Sequence, residues 1–293
     1  MKVSAVLLSM ASVVASMCHD ATHLAPRSEG LVRRADGTFG YHELAGPLNW
    51  NSISPAAKIC ATGKNQSPIN VIPSQLTTVR GSSFGASIPN RPQGAEFLNL
   101  GTTVEILTTG SAKIGRKVYN LLQFHFHTPS EHHLNNGHYP AEVHFVFQAA
   151  GKFDVPQFSN RKSLTTADNS LTVIGFFLEV AAANSEVPNA AIETVLASVG
   201  SIPHSGDSTT TAALNFSTLL SHLNANNVYR YGGSLTTPPC DEGVTFNVVE
   251  KPLYISAARY RALKNVVKFN SRYTQNKPGQ INLLQNAANV LNA

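Results

Sequence analysis

Charge, cysteine and long apolar runs are all scarce in this sequence. Asp, Glu, Lys and Arg make up only 13 % of the 293 residues, and the net formal charge is +5 with no Lys/Arg cluster. That excludes the electrostatic footprint of a nucleic-acid or membrane-surface protein. No run after the N-terminus approaches the roughly 20 apolar residues needed to cross a bilayer, so a soluble product is expected. There is no repeat, no low-complexity tract, no linker-like stretch and no strand–helix–strand alternation of the kind that builds parallel α/β folds.

The N-terminus reads as an export signal. Lys2 precedes a stretch of apolar and small residues from Val3 to Ala15, too short to span a membrane and ending in small residues suited to a signal peptidase. Residues 1–15 are therefore expected to be a signal peptide. Residues 16–34 lack periodicity and end in Leu31-Val32-Arg33-Arg34. They read as a pro-segment removed after the dibasic pair, or as an ordinary basic loop. Residues 35–293 are then expected to remain as a single catalytic domain, secreted to the extracellular space. Of the three cysteines, Cys18 lies in the part expected to be lost, leaving Cys60 and Cys240. An even pair in an exported protein reads as one disulfide. The long loop it would close gives a chain-entropy stabilisation of about 4–5 kcal/mol as an upper figure. Asn65-Gln66-Ser67 and Asn215-Phe216-Ser217 are glycan acceptor sequons. Asn215 is preferred because Asn65 abuts a segment expected to be packed.

Against this plain background, Gln123–His144 stands out. His125 and His127 sit two apart in the apolar run Leu121–His127. On a β-strand both imidazoles share one face, with Phe124 and Phe126 on the other. Same-face neighbours lie roughly 7 Å apart at Cα, close enough to converge on one ion. A second run, Ala141–Phe147, follows a turn marked by Asn135-Asn136-Gly137 and carries His144. Antiparallel pairing of the two runs would complete a three-nitrogen site, and three histidines without a fourth protein ligand suit catalytic zinc. Gln123 shares a face with the first two histidines and Glu142 with the third. Each is placed to accept a ring N–H and fix its tautomer. Two other readings stay open on these residues: ordinary strand histidines, or a cupin-type manganese or iron enzyme, since His125-x-His127-x-x-x-Glu131 fits cupin spacing.

Elsewhere the chain reads as short strands, at 68–72, 97–107, 117–127, 141–149, 171–180 and 243–250, punctuated by Gly, Pro and Asn. Helical periodicity is confined to Ile192, Val195, Leu196 and Val199 after Pro188, to 216–223, and to a run from a Ser256 cap to Phe269. The expected fold class is mainly β (α+β): a single domain with a large, mostly antiparallel, twisted central sheet and a few short peripheral helices.

Five blocks then fall in a familiar order: Gln66-Ser67-Pro68-Ile69-Asn70, Gln123–His127, Ser130-Glu131-His132, Ala141–His144 and Ser234-Leu235-Thr236-Thr237-Pro238-Pro239. Together with Phe39-Gly40-Tyr41, Trp50 and Asn270-x-Arg272, they make residues 39–275 resemble an α-class carbonic anhydrase, a secreted member of fungal or bacterial type. The resemblance implies one zinc ion per chain on His125, His127 and His144, with Gln123 and Glu142 behind them. It implies reversible hydration of carbon dioxide to bicarbonate by a zinc-bound hydroxide, with ester hydrolysis as a side activity and inhibition by sulfonamides and small anions. Thr236 and Glu131 would orient the hydroxide through a hydrogen bond from the Thr236 hydroxyl to the Glu131 carboxylate. Val146, Val173, Leu235, Thr236, Thr237 and Phe246 would line the substrate pocket, and the Cys60–Cys240 pair matches a disulfide of secreted members. Thr102 stands where fast members carry a proton-shuttling histidine, and Phe246 where many carry tryptophan. A metal-free binding or storage protein of the same family is the rival reading, disfavoured because all three histidines are present. Nucleic-acid and membrane partners are not expected, and the oligomeric state, monomer or homodimer, is left open.

Overall fold

The computed structural model describes residues 39–150 and 170–292. The expected signal peptide and pro-segment, with Cys18, lie outside these residues. Among the described residues the strands are β1 (Asn70–Val71), β2 (Thr77–Arg80), β3 (Glu96–Asn99), β4 (Val104–Ile114), β5 (Lys117–His127), β6 (His133–Leu134), β7 (Ala141–Ala149), β8 (Leu171–Val180), β9 (Ser208–Thr210), β10 (Asn227–Ser234) and β11 (Glu242–Ile255). Nine of them form one sheet in the order β2-β10-β11-β8-β7-β5-β4-β3-β9. Every pairing in that sheet is antiparallel except β11 with β8. β1 and β6 make a separate parallel ribbon. This is the mostly antiparallel single sheet the sequence led us to expect. It also disposes of the cupin reading, because cupins close two sheets into a jelly roll.

The sheet is deepest at β7 and β8, where the first seven and first eight residues respectively are all buried. Strands covered on both faces lose strict polar alternation, which is why these runs read as almost continuously apolar. One face packs Phe124, Phe126, Phe145 and Phe176 against α2 (Ala190–Ala197) and α3 (Ser217–Ala225). Phe124 stacks on Phe145 at 4.5 Å between ring centroids and meets Phe216 edge-on at 6.2 Å, favoured aromatic geometries. The other face carries Val146, Val173, Tyr231 and Phe246. It is the histidine-bearing face.

Helix boundaries follow local chemistry. Asn189 caps α2 by accepting from Ile192 N, and Ile192, Val195, Leu196 and Val199 are all fully buried, as their periodicity requires. Ser256 caps α4 (Ala257–Val267) by accepting from Arg259 N. The helix stops before Phe269 because Lys268 turns to φ 60°. Two short helices, α1 (Ile59–Thr62) and α5 (Leu283–Leu291), were not among those expected, although Leu283, Leu284, Ala287 and Leu291 of α5 recur at helical spacing. Expected strands also shift. The run 97–107 breaks into β3 and β4 at a turn where Asn99 Oδ1 accepts from Gly101 N and Gly101 takes φ 80°. Glycine reaches that conformation without cost. The run 68–72 shrinks to β1, and the run 243–250 extends through Pro252 to Ile255, with a register irregularity between Val249 and Leu253 that absorbs the missing N–H.

Candidate metal centre

The β5–β7 register places His125 directly opposite His144, and His127 opposite Glu142. All three histidines are buried, at 4 %, 1 % and 2 % exposure. Each uses one ring nitrogen in a hydrogen bond pointing away from the centre. His125 Nδ1–H donates to Gln123 Oε1 at 2.9 Å, His127 Nδ1–H to the Asn270 backbone carbonyl at 3.0 Å, and His144 Nε2–H to Glu142 Oε1 at 2.8 Å. The nitrogens left over are Nε2 of His125, Nε2 of His127 and Nδ1 of His144. Ligand atoms of the three residues lie within 4.8 Å of one another, and His127 Nε2 is buried without a hydrogen-bond partner. Three neutral imidazoles with bare nitrogens turned to a common point are the donor set of a catalytic zinc site. The residues present therefore fit that ion.

Electrostatics point the same way for His125 and His127, and the opposite way for His144. Burial holds the His125 imidazole well below its usual value, with His127 and His144 adding to the effect, and burial likewise lowers His127. Burial also pulls on His144, but the Glu142 carboxylate outweighs it by charge and hydrogen bond and leaves that ring raised. Burial alone would raise Glu142; the charges and hydrogen bonds of His132 and His144 hold it well below the usual carboxylate range. Glu142 accepts four donors: His132 Nδ1 and His144 Nε2 on one oxygen, and the backbone N–H groups of Glu131 and His132 on the other. Room for this carboxylate depends on Gly175 of β8, where an added Cβ would lie 3.1 Å from Glu142 Oε1.

A narrow cavity opens beside His125 and His144. Val146, Val173, Leu235 and Phe246 form apolar wall, and Thr236 and Thr237 lie alongside. The structure thus gathers every residue the resemblance assigned to the pocket. It adds Leu171 and Val244, each two residues before an anticipated wall residue on the same strand and so on the same face. That period-two signal was available in the sequence. Phe246 also stacks on Tyr231, with centroids 5.4 Å apart and planes at 13°, and meets His144 edge-on at 5.6 Å.

One expected contact is absent. The Thr236 hydroxyl does not hydrogen-bond Glu131 in this structure. Glu131 Oε1 accepts from Arg272 N at 3.0 Å, while Oε2 has no hydrogen-bond partner and faces the imidazoles, 3.4 Å from His127 Nε2. Asn270 and Arg272 act on the site through backbone atoms, 143 residues from His127 and 141 from Glu131. Nothing in their side-chain types signals that role, since any residue carries the same carbonyl and N–H.

The Leu235–Thr237 segment is tied down from behind. Leu235 N donates to Asp241 O and Cys240 N to Thr237 O. Cys240 forms a disulfide with Cys60 of α1, with 5.1 Å between the Cα atoms, which bears out that pairing. His132 is buried behind the centre, whereas His138 and His204 are exposed.

Comparison with known proteins agrees with this geometry. Residues 45–287 match the family model described as eukaryotic-type carbonic anhydrase. A carbonic anhydrase of Pectobacterium atrosepticum is 30 % identical over 246 residues, covering 83 % of this chain and 89 % of the relative. Among solved structures, the fungal α-carbonic anhydrase of Aspergillus oryzae superposes with a TM-score of 0.76 at 41 % identity, covering 86 % of this chain and 99 % of that one. The α-carbonic anhydrase of Thermovibrio ammonificans in complex with the inhibitor sulfanilamide gives 0.63 at 30 % identity, with coverage of 81 % and 95 %.

Proposed function

The chain belongs to the eukaryotic-type, α-class carbonic anhydrase family, enzymes that interconvert carbon dioxide and bicarbonate, and from that premise we propose that it hydrates carbon dioxide with one zinc ion held by His125, His127 and His144. The observation that carries the reading is the convergence of three buried, partner-oriented imidazoles beside an apolar cavity. When bound, zinc would supply Lewis-acid activation of water, lowering its pKa toward neutrality as in carbonic anhydrases generally.

The rest of the chemistry falls to the chain's own groups. Gln123, Glu142 and the Asn270 carbonyl fix the three ring orientations, so the centre is assembled before substrate arrives. Val146, Val173 and Leu235 offer carbon dioxide a surface without hydrogen-bonding groups. The apolar substrate leaves water there at no desolvation cost, whereas charged bicarbonate gains nothing from the same wall and is released. Glu131, pinned by the Arg272 amide, presents its other carboxylate oxygen to the centre as an acceptor without a partner. In the working enzyme the Thr236 hydroxyl would donate to that oxygen and offer its own lone pair as a hydrogen-bond acceptor toward the centre, orienting the nucleophile toward carbon. The Thr236 N–H and Thr237 would hold the product's oxygens. Phe246, smaller than tryptophan, leaves the pocket wider without touching this chemistry.

Activated esters present a similar electrophilic carbon and would be hydrolysed at the same site. Sulfonamides and small anions would compete for it, in keeping with the sulfanilamide complex of the Thermovibrio relative. We place the protein outside the cell, after removal of residues 1–15 and of the pro-segment 16–34; the Cys60–Cys240 disulfide suits an oxidising compartment.

Stopped-flow carbon dioxide hydration on the secreted protein, with metal analysis and His144→Ala as control, tests the reading. One zinc per chain and hydration lost in the variant are expected. A full complement of zinc without hydration, or manganese or iron in its place, would overturn it.

A further inference from the structure

Behind Glu142 the polar contacts do not end. His132 Nε2 lies 2.7 Å from the Tyr231 hydroxyl, which lies 2.8 Å from Ser67 Oγ, which accepts from Ser234 N at 3.0 Å. His132, Ser67 and Ser234 are fully buried and Tyr231 is 6 % exposed, so water does not compete for these bonds. Ser234 is the last residue of β10, immediately before Leu235-Thr236-Thr237. A continuous chain thus runs from the base of the cavity loop, across the sheet, to the carboxylate that orients His144.

The donors in that chain can be assigned from its ends. Two backbone N–H groups occupy one oxygen of Glu142, and backbone amides only donate. The other oxygen faces two imidazole nitrogens at 2.8 Å, and an ionised carboxylate only accepts. Hence His132 donates through Nδ1. In the neutral ring its Nε2 is bare and must accept the Tyr231 O–H. Burial holds the Tyr231 phenol well above its usual value, so it stays a neutral donor. Its oxygen then accepts the Ser67 O–H, whose oxygen accepts the Ser234 N–H. Every hydroxyl has one orientation.

We infer that Tyr231 is a positioning residue for the metal centre, acting through His132 and Glu142 on His144. The inference rests on the zinc reading above. Without its hydroxyl, His132 Nε2 is a buried acceptor with no partner. The ring is then free to turn, and Glu142 loses the neighbour that shares its oxygen with His144. Hydrogen-bonded chains in a dry interior polarise one another, and partners lying behind metal ligands commonly affect metal affinity by about 10- to 100-fold. Two bonds further out, the lower figure applies.

The test is zinc release from the full-length holoprotein into excess chromogenic chelator at neutral pH, for wild type, Tyr231→Phe, Glu142→Gln and the double variant. Tyr231→Phe is expected to release zinc about tenfold faster. In the Glu142→Gln background the same substitution should change the rate by less than about twofold, because a residue acting through Glu142 has nothing left to act on. A merely structural role would give the same fold-change in both backgrounds, and that result, or wild-type release from Tyr231→Phe, overturns the inference. If Tyr231→Phe does not fold, Ser67→Ala removes the donor that holds the phenol and is judged by the same two criteria. A wild-type chain that takes up no zinc overturns the zinc reading and this inference together. A wild type that retains zinc beside a variant that retains it equally well overturns this inference alone.

Discussion

Replacing Glu142 by glutamine changes one atom and should disable the centre, and the reason can be worked out bond by bond. The carboxylate accepts four donors, two on each oxygen. A carboxamide has one accepting oxygen and one donating NH2. If its oxygen turns to the backbone amides, the NH2 meets His132 Nδ1 and His144 Nε2. Those rings must then shift their protons to the far nitrogens, which places a proton on His144 Nδ1, the nitrogen that faces the centre. If the oxygen turns to the imidazoles instead, the NH2 confronts two backbone N–H groups. In the second arrangement, and in the first wherever the rings keep their present tautomers, two buried donors lose their acceptor, at about 1–3 kcal/mol each, or about 2–6 kcal/mol together. Glu142→Gln should therefore lower the melting temperature by at least about 4 °C for a chain of this size and accelerate zinc loss about 10- to 100-fold. Differential scanning calorimetry and chelator competition read the two effects. A variant that melts with wild type and keeps its zinc as long would refute the reasoning, because it would mean that none of the four bonds is needed.

Four further outcomes are expected. With Thr102 in place of a titratable shuttle, carbon dioxide hydration should speed up as imidazole buffer is added, and Thr102→His should remove that dependence; a wild-type rate independent of buffer refutes it. Cys60→Ser/Cys240→Ser frees the turn behind Leu235–Thr237 and reopens a loop with a sequence separation of 180; thermal melts should show a loss approaching about 4–5 kcal/mol, and an unchanged midpoint would rule out a stabilising role. Metal-free protein should lose stability as pH falls below about 6.5. Burial keeps His125 and His127 below their unfolded values, so the unfolded chain binds more protons there and stability rises with pH. His144, raised by Glu142, contributes in the opposite sense, its stabilisation present below about 6.5 and lost as pH rises through its folded value. Among these three histidines two groups stand against one, and burial lowers His133 and His222 as well. His125→Ala should therefore reduce the slope of melting temperature against pH without abolishing it, and an equal slope contradicts the assignment. Finally, mass spectrometry of protein secreted from a eukaryotic host should find a glycan on Asn215, which is exposed, and not on Asn65. The Asn65 amide donates to Glu242, and Ser67 of its sequon is fully buried; a glycan on Asn65 would contradict this.

Much of the site was legible because its chemistry is local. His125 and His127 share a face by strand periodicity alone, Gln123 lies two residues before His125, and Glu142 two before His144. In a strand that spacing brings each acceptor to its ring without further folding. The apolar runs of β7 and β8 likewise carried their own burial. Leu171 and Val244 could have been found by stepping back two residues from Val173 and Phe246. The turn that divides β3 from β4 was missed because the Asn99–Gly101 contact competes with a run of good strand formers.

The limits lie where partners are far apart in the chain. Residue types and spacing were enough for β5, β7 and β8, the facing of the histidines and the pairing of the two remaining cysteines, but not for β2, β6, β9 and β10. They were not enough for the Asn270 carbonyl on His127, the Arg272 amide on Glu131, or the Ser67–Tyr231–His132 chain, with separations from 99 to 164 residues. Backbone donors are the same at every residue, and a hydroxyl has no preferred partner until packing brings one within reach and excludes water. Local periodicity decides which face a side chain occupies; only the assembled sheet decides what waits for it there.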